Sequence, residues 1–109
     1  MVPIKDIQTI RALVEKSHLL PQIIFKHSLL CPISRKAHDR LRLFFDRDYF
    51  HMLIVQDSSV LKIIVAEMFD VKHESPQVII FDKGDVVYHA DHRAINAESV
   101  QQILDAFTK

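Results

Sequence analysis

The chain has 109 residues and a mass of 12.7 kDa, which fits one domain over residues 1–109 and leaves little room for a second. Fourteen basic residues balance fourteen acidic residues, so a nucleic-acid binder that relies on a basic surface is not expected. The apolar runs are far shorter than the ~20 residues of a membrane helix, and no signal peptide is recognisable at the N-terminus. We therefore expect a cytoplasmic protein whose partners include neither nucleic acid nor membrane.

The first half of the chain predicts two helices that alternate with two strands. Residues 4–16 carry apolar side chains at spacings of three and four, which is typical of an amphipathic helix. Residues 22–27 and 49–56 are short, mostly apolar runs and predict buried strands. Between them a helix begins at Pro32. Its apolar face contains Ile33, Ala37, Leu41, Phe44 and Phe45.

The second half predicts a helix, a hairpin and a last helix. Residues 57–59 offer capping side chains for a helix over residues 60–69. Strands over residues 77–81 and 86–89 are joined by a turn that contains Gly84, where a positive φ is needed. Asn96 then caps the last helix, whose apolar residues again follow a helical spacing.

This order of elements, α-β-α-β-α-β-β-α, predicts an α/β fold. The βαβ half forms a right-handed parallel unit, and the hairpin adds antiparallel strands. We therefore expect a central mixed sheet of four strands with helices on both faces.

Cys31 is the only cysteine, so neither an intramolecular disulfide nor a zinc site built from several thiolates is possible. It lies between a predicted strand and a predicted helix, and Pro32 suits the first helical position. Cys31 is then the N-cap, and its sulfur can face the free N–H groups of Ile33 and Ser34 at the positive end of the helix. Both effects favour the thiolate, which is the nucleophile. The alternative is a buried, inert cysteine.

Two further positions belong to this candidate site. Ser34 lies where the second cysteine of a Cys-x-x-Cys pair would be, so its hydroxyl either bonds the thiolate or is a polar residue of the first turn. It cannot resolve a mixed disulfide, and any redox cycle therefore needs an external thiol. The Ser75–Pro76 bond precedes the third strand, and in this topology we expect its loop to return beside a helix N-terminus and Pro76 to face Cys31. A cis bond there would face Cys31 and expose the backbone of Ser75 to a substrate.

Seven histidines raise the question of a metal site. His89 and His92 are three residues apart with Asp91 between them, while His27 and His73 lie near the other candidate residues. None of these spacings is a definite ligand motif, and surface or hydrogen-bonded imidazoles are the simpler interpretation. No metal site is therefore predicted.

Three collinear segments resemble one known family. They are FKHSLLCPIS at residues 25–34, KHESPQV at residues 72–78 and GDVVYHADH at residues 84–92. These segments are similar to signature segments of the monothiol bacilliredoxin-like proteins of the bacillithiol system, which have a thioredoxin-like fold. The family pattern is Thr-Cys-Pro-Ile, and this chain has Leu30 in place of the threonine. The family's His-Ala-Ser-His-Trp stretch reads HADHR at residues 89–93.

The resemblance implies a thioredoxin-like domain in which Cys31 exchanges with mixed disulfides of bacillithiol, and in which Pro76 is the cis-proline. We expect Cys31 to be catalytic, with Pro32, Ile33 and Ser34 in support. Ser75 and Pro76 are expected to bind the substrate. No bound cofactor is expected: bacillithiol or another low-molecular-weight thiol acts as co-substrate, and the partners are client proteins modified by that thiol. The alternative is a thioredoxin-fold binding or adaptor domain with a packed, non-catalytic cysteine.

Overall fold

A mixed sheet forms the centre of the protein, whose structure is a computed structural model that describes residues 2–57 and 59–108. Its strands are β1 (Val2–Pro3), β2 (Gln22–His27), β3 (Phe50–Ile54), β4 (Gln77–Asp82) and β5 (Asp85–Asp91). The α-helices are α1 (Ile7–Lys16), α2 (Pro32–Arg40), α3 (Ser59–Phe69) and α4 (Ala97–Phe107). Two short 3-10 helices cover Arg42–Phe44 and His92–Ala94.

The order of the strands across the sheet is β1-β3-β2-β4-β5. Strand β3 runs parallel to β1 and β2, whereas β4 runs antiparallel to β2 and β5. Lys26 near the end of β2 pairs with Gln77, the first residue of β4. The loop that leads from β2 to Cys31 and the Ser75–Pro76 segment therefore lie at the same edge of the sheet.

The strand count differs from the predicted four, because Val2–Pro3 adds an edge strand beside β3. The extended chain continues to Ile4, whose N–H donates to the carbonyl oxygen of Met52 at 2.9 Å, so the prediction that Ile4 lies in the first helix is wrong. The helix begins at Ile7 because Asp6 caps it and accepts a hydrogen bond from the N–H of Thr9 at 2.8 Å.

The second helix is shorter than its apolar spacing predicted. It ends at Arg40 with Leu41 as its C-cap, and the chain tightens into a 3-10 turn in which Phe44 is buried. A 3-10 turn commonly follows the end of an α-helix. Here it carries Phe44 into the core although the α-helix has ended.

The remaining helix boundaries agree closely with the sequence analysis. Helix α3 begins at Ser59, and the candidate capping residue Ser58 lies outside the described residues. Asn96 caps α4 as predicted, with its side chain accepting from the N–H of Ser99 at 2.8 Å. Within residues 2–57 and 59–108, no helix is both long enough and apolar enough to cross a membrane.

Each face of the sheet packs against two helices, as predicted. One buried cluster joins Ile23 and Phe25 to residues of α2 and α4, and the other joins Ile24 to residues of α1 and α3. Side chains alternate along a strand. Lys26 therefore lies on the α1/α3 face, whereas His27 lies on the α2/α4 face.

The hairpin between β4 and β5 turns at Lys83 and Gly84, with φ values of 53° and 82°. The predicted positive φ at the glycine is confirmed. The N–H of Gly84 donates to the hydroxyl of Ser17 at 2.9 Å, and the N–H of Lys83 donates to the carbonyl oxygen of Ser17 at 2.8 Å. The turn is thereby fixed to the end of α1, at the edge of the sheet opposite to Cys31.

Candidate functional site

Cys31 is the N-cap of α2, as predicted. Its backbone is extended, with φ −100° and ψ 119°, and Pro32 occupies the first helical position. The carbonyl oxygen of Cys31 accepts the first helical hydrogen bond from the N–H of Arg35 at 3.0 Å. The side chain of Cys31 is half-buried, Pro32 is exposed and Ile33 is partly buried. The cysteine is thus presented at a helix start rather than packed in the core.

The sulfur of Cys31 makes no capping hydrogen bond to the N–H groups of the first turn. Capping needs a good acceptor, and a thiol is a weak one. The first-turn N–H groups and the helix dipole still act on Cys31 electrostatically, because the residue stands at the positive end of α2.

The hydroxyl of Ser34 is buried and engaged with groups other than the thiol. It accepts a hydrogen bond from the N–H of Ser28 at 2.9 Å, and it lies 2.7 Å from Nδ1 of His27. The hydroxyl therefore contacts the loop and His27 at the same time. These two bonds fix the loop before Cys31 onto the first turn of α2, which makes Ser34 a positioning residue.

His27 supports this loop from the α2/α4 face of the sheet. Its ring stacks on His38 of α2, with 4.8 Å between the ring centroids. The ring centroid of His38 in turn lies 4.7 Å from that of Phe45. Burial lowers the pKa of His27, and the neighbouring His38 lowers it further. At neutral pH His27 is therefore an uncharged imidazole that supports the start of α2.

The loop before Cys31 carries two exposed leucines. Leu29 is 55% exposed and Leu30 is 84% exposed. The N–H of Leu29 donates to Oε1 of Gln56 at 3.2 Å, and Nε2 of Gln56 donates to the hydroxyl of Ser28 at 2.7 Å. The loop is thus attached to the segment after β3, while its apolar side chains extend into solvent beside the thiol.

The Ser75–Pro76 bond is cis, as predicted. Pro76 is buried, and its carbonyl oxygen accepts a hydrogen bond from the N–H of His92 at 3.0 Å. The hydroxyl oxygen of Ser75 is buried and has no hydrogen-bond partner among the described residues. Ser75 and Pro76 therefore border the edge of the sheet that Cys31 occupies, and one polar atom there is unsatisfied.

The sequence analysis missed Lys26, whose side chain is completely buried on the α1/α3 face. Its Nζ lies 3.2 Å from Nδ1 of His73. Burial lowers the pKa of Lys26 to about 8, although Asp91 and Glu74 act in the opposite direction. The sequence could have revealed Lys26, because this lysine stands inside an otherwise apolar strand. A buried lysine without an ion pair is rare and therefore notable.

The acidic groups around this edge have other partners. Oε2 of Glu74 lies 3.5 Å from Nε2 of His92, and Oε1 lies 4.0 Å from Nζ of Lys72. Asp91 accepts a hydrogen bond from Nε2 of Gln77 at 2.9 Å. In the part of the chain that the structure describes, no group of three or more histidine, cysteine, aspartate or glutamate side chains is arranged to hold a metal ion.

Solved structures of the thioredoxin fold match this arrangement. A protein described as a proposed oxidoreductase with a thioredoxin fold superimposes with a TM-score of 0.82 and 34% sequence identity, over 93% of this chain and 90% of that one. Fasciola hepatica thioredoxin matches with a TM-score of 0.74 and 11% identity, over 99% of this chain and 100% of that one. A thioredoxin variant from Halobacterium salinarum NRC-1 matches with a TM-score of 0.75 and 9% identity, over 99% and 90% of the two chains. The protein therefore has a thioredoxin fold.

The family is more specific than the fold. Residues 2–100 match the family model described as monothiol bacilliredoxin BrxC. The chain belongs to the monothiol bacilliredoxin family, as the three collinear segments indicated, and its one cysteine agrees with the monothiol description.

Proposed function

We propose that the protein removes bacillithiol, or a similar low-molecular-weight thiol, from mixed disulfides on client proteins. The observation that carries this proposal is the position of Cys31: half-buried, at the N-cap of α2, and at the sheet edge that also holds the cis Ser75–Pro76 bond. Thiol–disulfide exchange needs an accessible thiolate, and a helix N-terminus favours that form.

The proposed reaction has two exchange steps. The thiolate of Cys31 attacks the small-thiol sulfur of the mixed disulfide, a new S–S bond forms, and the client cysteine leaves as a thiolate that takes a proton from solvent. A second molecule of the small thiol then attacks the adduct as its thiolate. This step releases the symmetrical small-thiol disulfide and restores Cys31, so the small thiol is the reductant.

The neighbouring residues have distinct proposed roles. Pro32 fixes the start of α2, Ile33 follows it in the first turn, and Ser34 holds the preceding loop in place through its contacts with Ser28 and His27. The backbone of Ser75 and the adjoining Pro76, on either side of the cis bond, bind the disulfide segment as it approaches the thiol. The exposed side chains of Leu29 and Leu30 contact the client protein beside its modified cysteine.

The proposal requires no bound cofactor, and it places the reaction in the cytoplasm, where thiols are kept reduced. Its partners are client proteins modified by the small thiol. The adaptor alternative requires a packed Cys31, and the partial exposure of that side chain favours the enzyme.

The experiment is a panel of one client protein modified in turn with bacillithiol, glutathione, coenzyme A and cysteine. Each adduct is mixed with the protein and excess of the matching free thiol, and release of the client thiol is followed by intact mass. We expect turnover with at least the bacillithiol adduct and none with Cys31→Ser. Absence of turnover with every adduct, at a pH where Cys31 reacts with iodoacetamide, would overturn the proposed function.

A further inference from the structure

Lys26 is a buried base that the exchange chemistry above does not use. Its side chain has no solvent exposure, and among the described residues no carboxylate lies within the 4.0 Å salt-bridge distance of its Nζ. Burying an ammonium without an ion pair is costly. Among the described residues, Nζ of Lys26 has its compensating hydrogen bond with Nδ1 of His73, at 3.2 Å.

This contact determines the tautomer of His73. A lysine ammonium has three N–H donors and no acceptor, so Nδ1 must accept and cannot carry a proton. The pKa of His73 is lowered by burial, by Lys26 and by Lys62, while Glu74 acts in the opposite direction, so the ring is neutral. A neutral imidazole without a proton on Nδ1 carries it on Nε2. His73 therefore offers a fixed Nε2–H donor.

This donor stands close to the reacting edge. His73 lies two residues before Ser75, in the loop that leads into β4, and its side chain is partly exposed. Nε2 of His73 makes no hydrogen bond within residues 2–57 and 59–108. Lys26 and Lys62 act on the ring as positive charges, and Nζ of Lys72 is on a side chain that is 90% exposed.

The nearby carboxylates do not accept a hydrogen bond from Nε2 of His73. Glu74 is engaged by His92 and Lys72, and Asp91 accepts from Gln77. A free N–H with positive charges around it matches an anion, and a planar carboxylate accepts such a bond well.

We propose that His73, held in one tautomer by Lys26, binds a carboxylate on the small-thiol half of the mixed disulfide. The inference rests on the proposed function, because it assigns the substrate class of the same site. His73 is the contacting residue, Lys26 is a positioning residue behind it, and thiols that lack a carboxylate are the poorer substrates.

The test compares two alkylating reagents at Cys31, which is the only thiol in the chain. Iodoacetate carries a carboxylate and iodoacetamide does not, and both react with the same thiolate, so differences in the amount and accessibility of the thiolate cancel in the ratio of their rate constants. His73→Phe should lower the iodoacetate-to-iodoacetamide ratio about fivefold, the size of one net hydrogen bond. His73→Gln, which keeps one acceptor for Lys26 and one N–H donor, should restore most of the ratio.

A matched pair of lysine variants separates geometry from charge. Lys26→Met and Lys62→Met each remove one positive charge near His73, but only the first removes the contact with Nδ1. Lys26→Met should therefore lower the ratio more than Lys62→Met. An unchanged ratio in His73→Phe, or equal effects of the two lysine variants, overturns the proposal. If Lys26→Met does not fold, the comparison of His73→Phe with His73→Gln decides.

A second measurement tests the substrate itself. One client protein is modified with mercaptopropionate or with mercaptoethanol, adducts that differ in a carboxylate and a hydroxyl. The protein should remove the first faster, and His73→Phe should reduce that preference. If neither of these adducts nor the bacillithiol adduct is transferred while the alkylation ratio responds as expected, the proposed function fails and the anion site stands. If both are transferred at equal rates and the ratio is flat, the anion site fails and the proposed function stands.

Discussion

Two buried bases on neighbouring strands give the clearest consequences at the scale of single residues. Lys26 on β2 contacts His73, and His51 on β3 places its Nε2 at 2.8 Å from Oε1 of Gln22, while its Nδ1 has no partner among the described residues. Both side chains are fully buried, and burial shifts both pKa values toward the uncharged form. The stability of the protein should therefore respond to pH at two separate positions.

Lys26→Met should stabilise the protein by about 2 kcal/mol at pH 7, because a charged buried lysine is replaced by an apolar side chain of similar length. The pKa of Lys26 is about 8 in the folded protein, below the ordinary value of 10.5. As the pH falls from 10.5 toward 8, the unfolded chain takes up this proton before the folded protein does, so the free energy of unfolding decreases over that range. The advantage of methionine should accordingly shrink between pH 8 and pH 10.5. Urea unfolding at pH 7 and pH 10 measures both values, and a variant less stable than the parent at pH 7 contradicts the argument.

His51→Gln should flatten the acid limb of the stability profile. The pKa of His51 is lowered to about 4 by burial first and by Lys16 second, so the unfolded chain takes up a proton near pH 6.5 before the folded chain does. Stability present above pH 6.5 is lost as the pH falls, by about 2 kcal/mol between pH 7 and pH 5. Glutamine keeps a donor for Gln22 and does not titrate. The measurement is the free energy of unfolding against pH for the parent, His51→Gln and the exposed control His18→Gln. Only His51→Gln should show a reduced pH dependence. Parallel profiles for all three proteins would refute this assignment.

The residues of the site differ in how far the sequence could predict them. Cys31 and Pro32 were identifiable because the strand, the proline and the helix are contiguous, so local rules determine the N-cap. The contact of Lys26 with His73 joins residues 47 positions apart, and no periodicity specifies such a pair. The sequence left open whether the hydroxyl of Ser34 bonds the thiolate, because its contacts with His27 and Ser28 depend on the tertiary contact between β2 and α2.

At the scale of secondary-structure elements, the boundaries depended on capping and on chain tightening rather than on apolar spacing. The spacing at Ile4 fits a helix, yet Asp6 caps the helix two residues later and leaves Ile4 bonded to Met52. The two-residue strand β1 is too short to give a periodic signal, and it exists because β3 offers an edge for pairing. Phe44 kept the predicted burial although α2 ended at Arg40.

The first turn of α2 supports a prediction about its geometry. Ser34→Cys should form a disulfide with Cys31, because an N-cap residue and the third helical residue are ~5–6 Å apart between Cα atoms, within the range of a disulfide. Mild oxidation should lower the intact mass by two hydrogens and remove both free thiols. Lys36→Cys, an exposed position further along the helix, is the control and should stay reduced. Retention of two thiols in oxidised Ser34→Cys would show that the first turn does not hold these side chains together.

The same variant should change the fate of the small-thiol adduct. With a second cysteine in place, the thiol of the new residue can attack the adduct on Cys31 and release the small thiol without an added reductant. The substitution also removes the hydroxyl that bonds Ser28 and His27, so a loss of about 1 kcal/mol in the free energy of unfolding is expected. Mass spectra taken without free thiol should show the adduct on the parent and the internal disulfide on the variant.

At the scale of the whole molecule, the sheet brings the site together. Strand β2 ends and β4 begins at one edge, so residues separated by more than 40 positions along the chain, Cys31 and Ser75–Pro76, border the same region. This topology was predictable, since the order of elements allows few arrangements with right-handed crossovers. The side-chain partners on either face of β2 were not predictable from the sequence, because they depend on which loop packs over the edge of the sheet.

The central claim is that Cys31 accepts the small thiol from a client protein. The most direct measurement is intact mass after one equivalent of a bacillithiol-modified client is mixed with the protein in the absence of free thiol. We predict that the client loses one adduct, that Cys31 gains it, and that it persists until free thiol is added, because the chain has no second cysteine. A client that keeps its adduct while Cys31 remains unmodified, at a pH where iodoacetamide alkylates Cys31, would contradict the account.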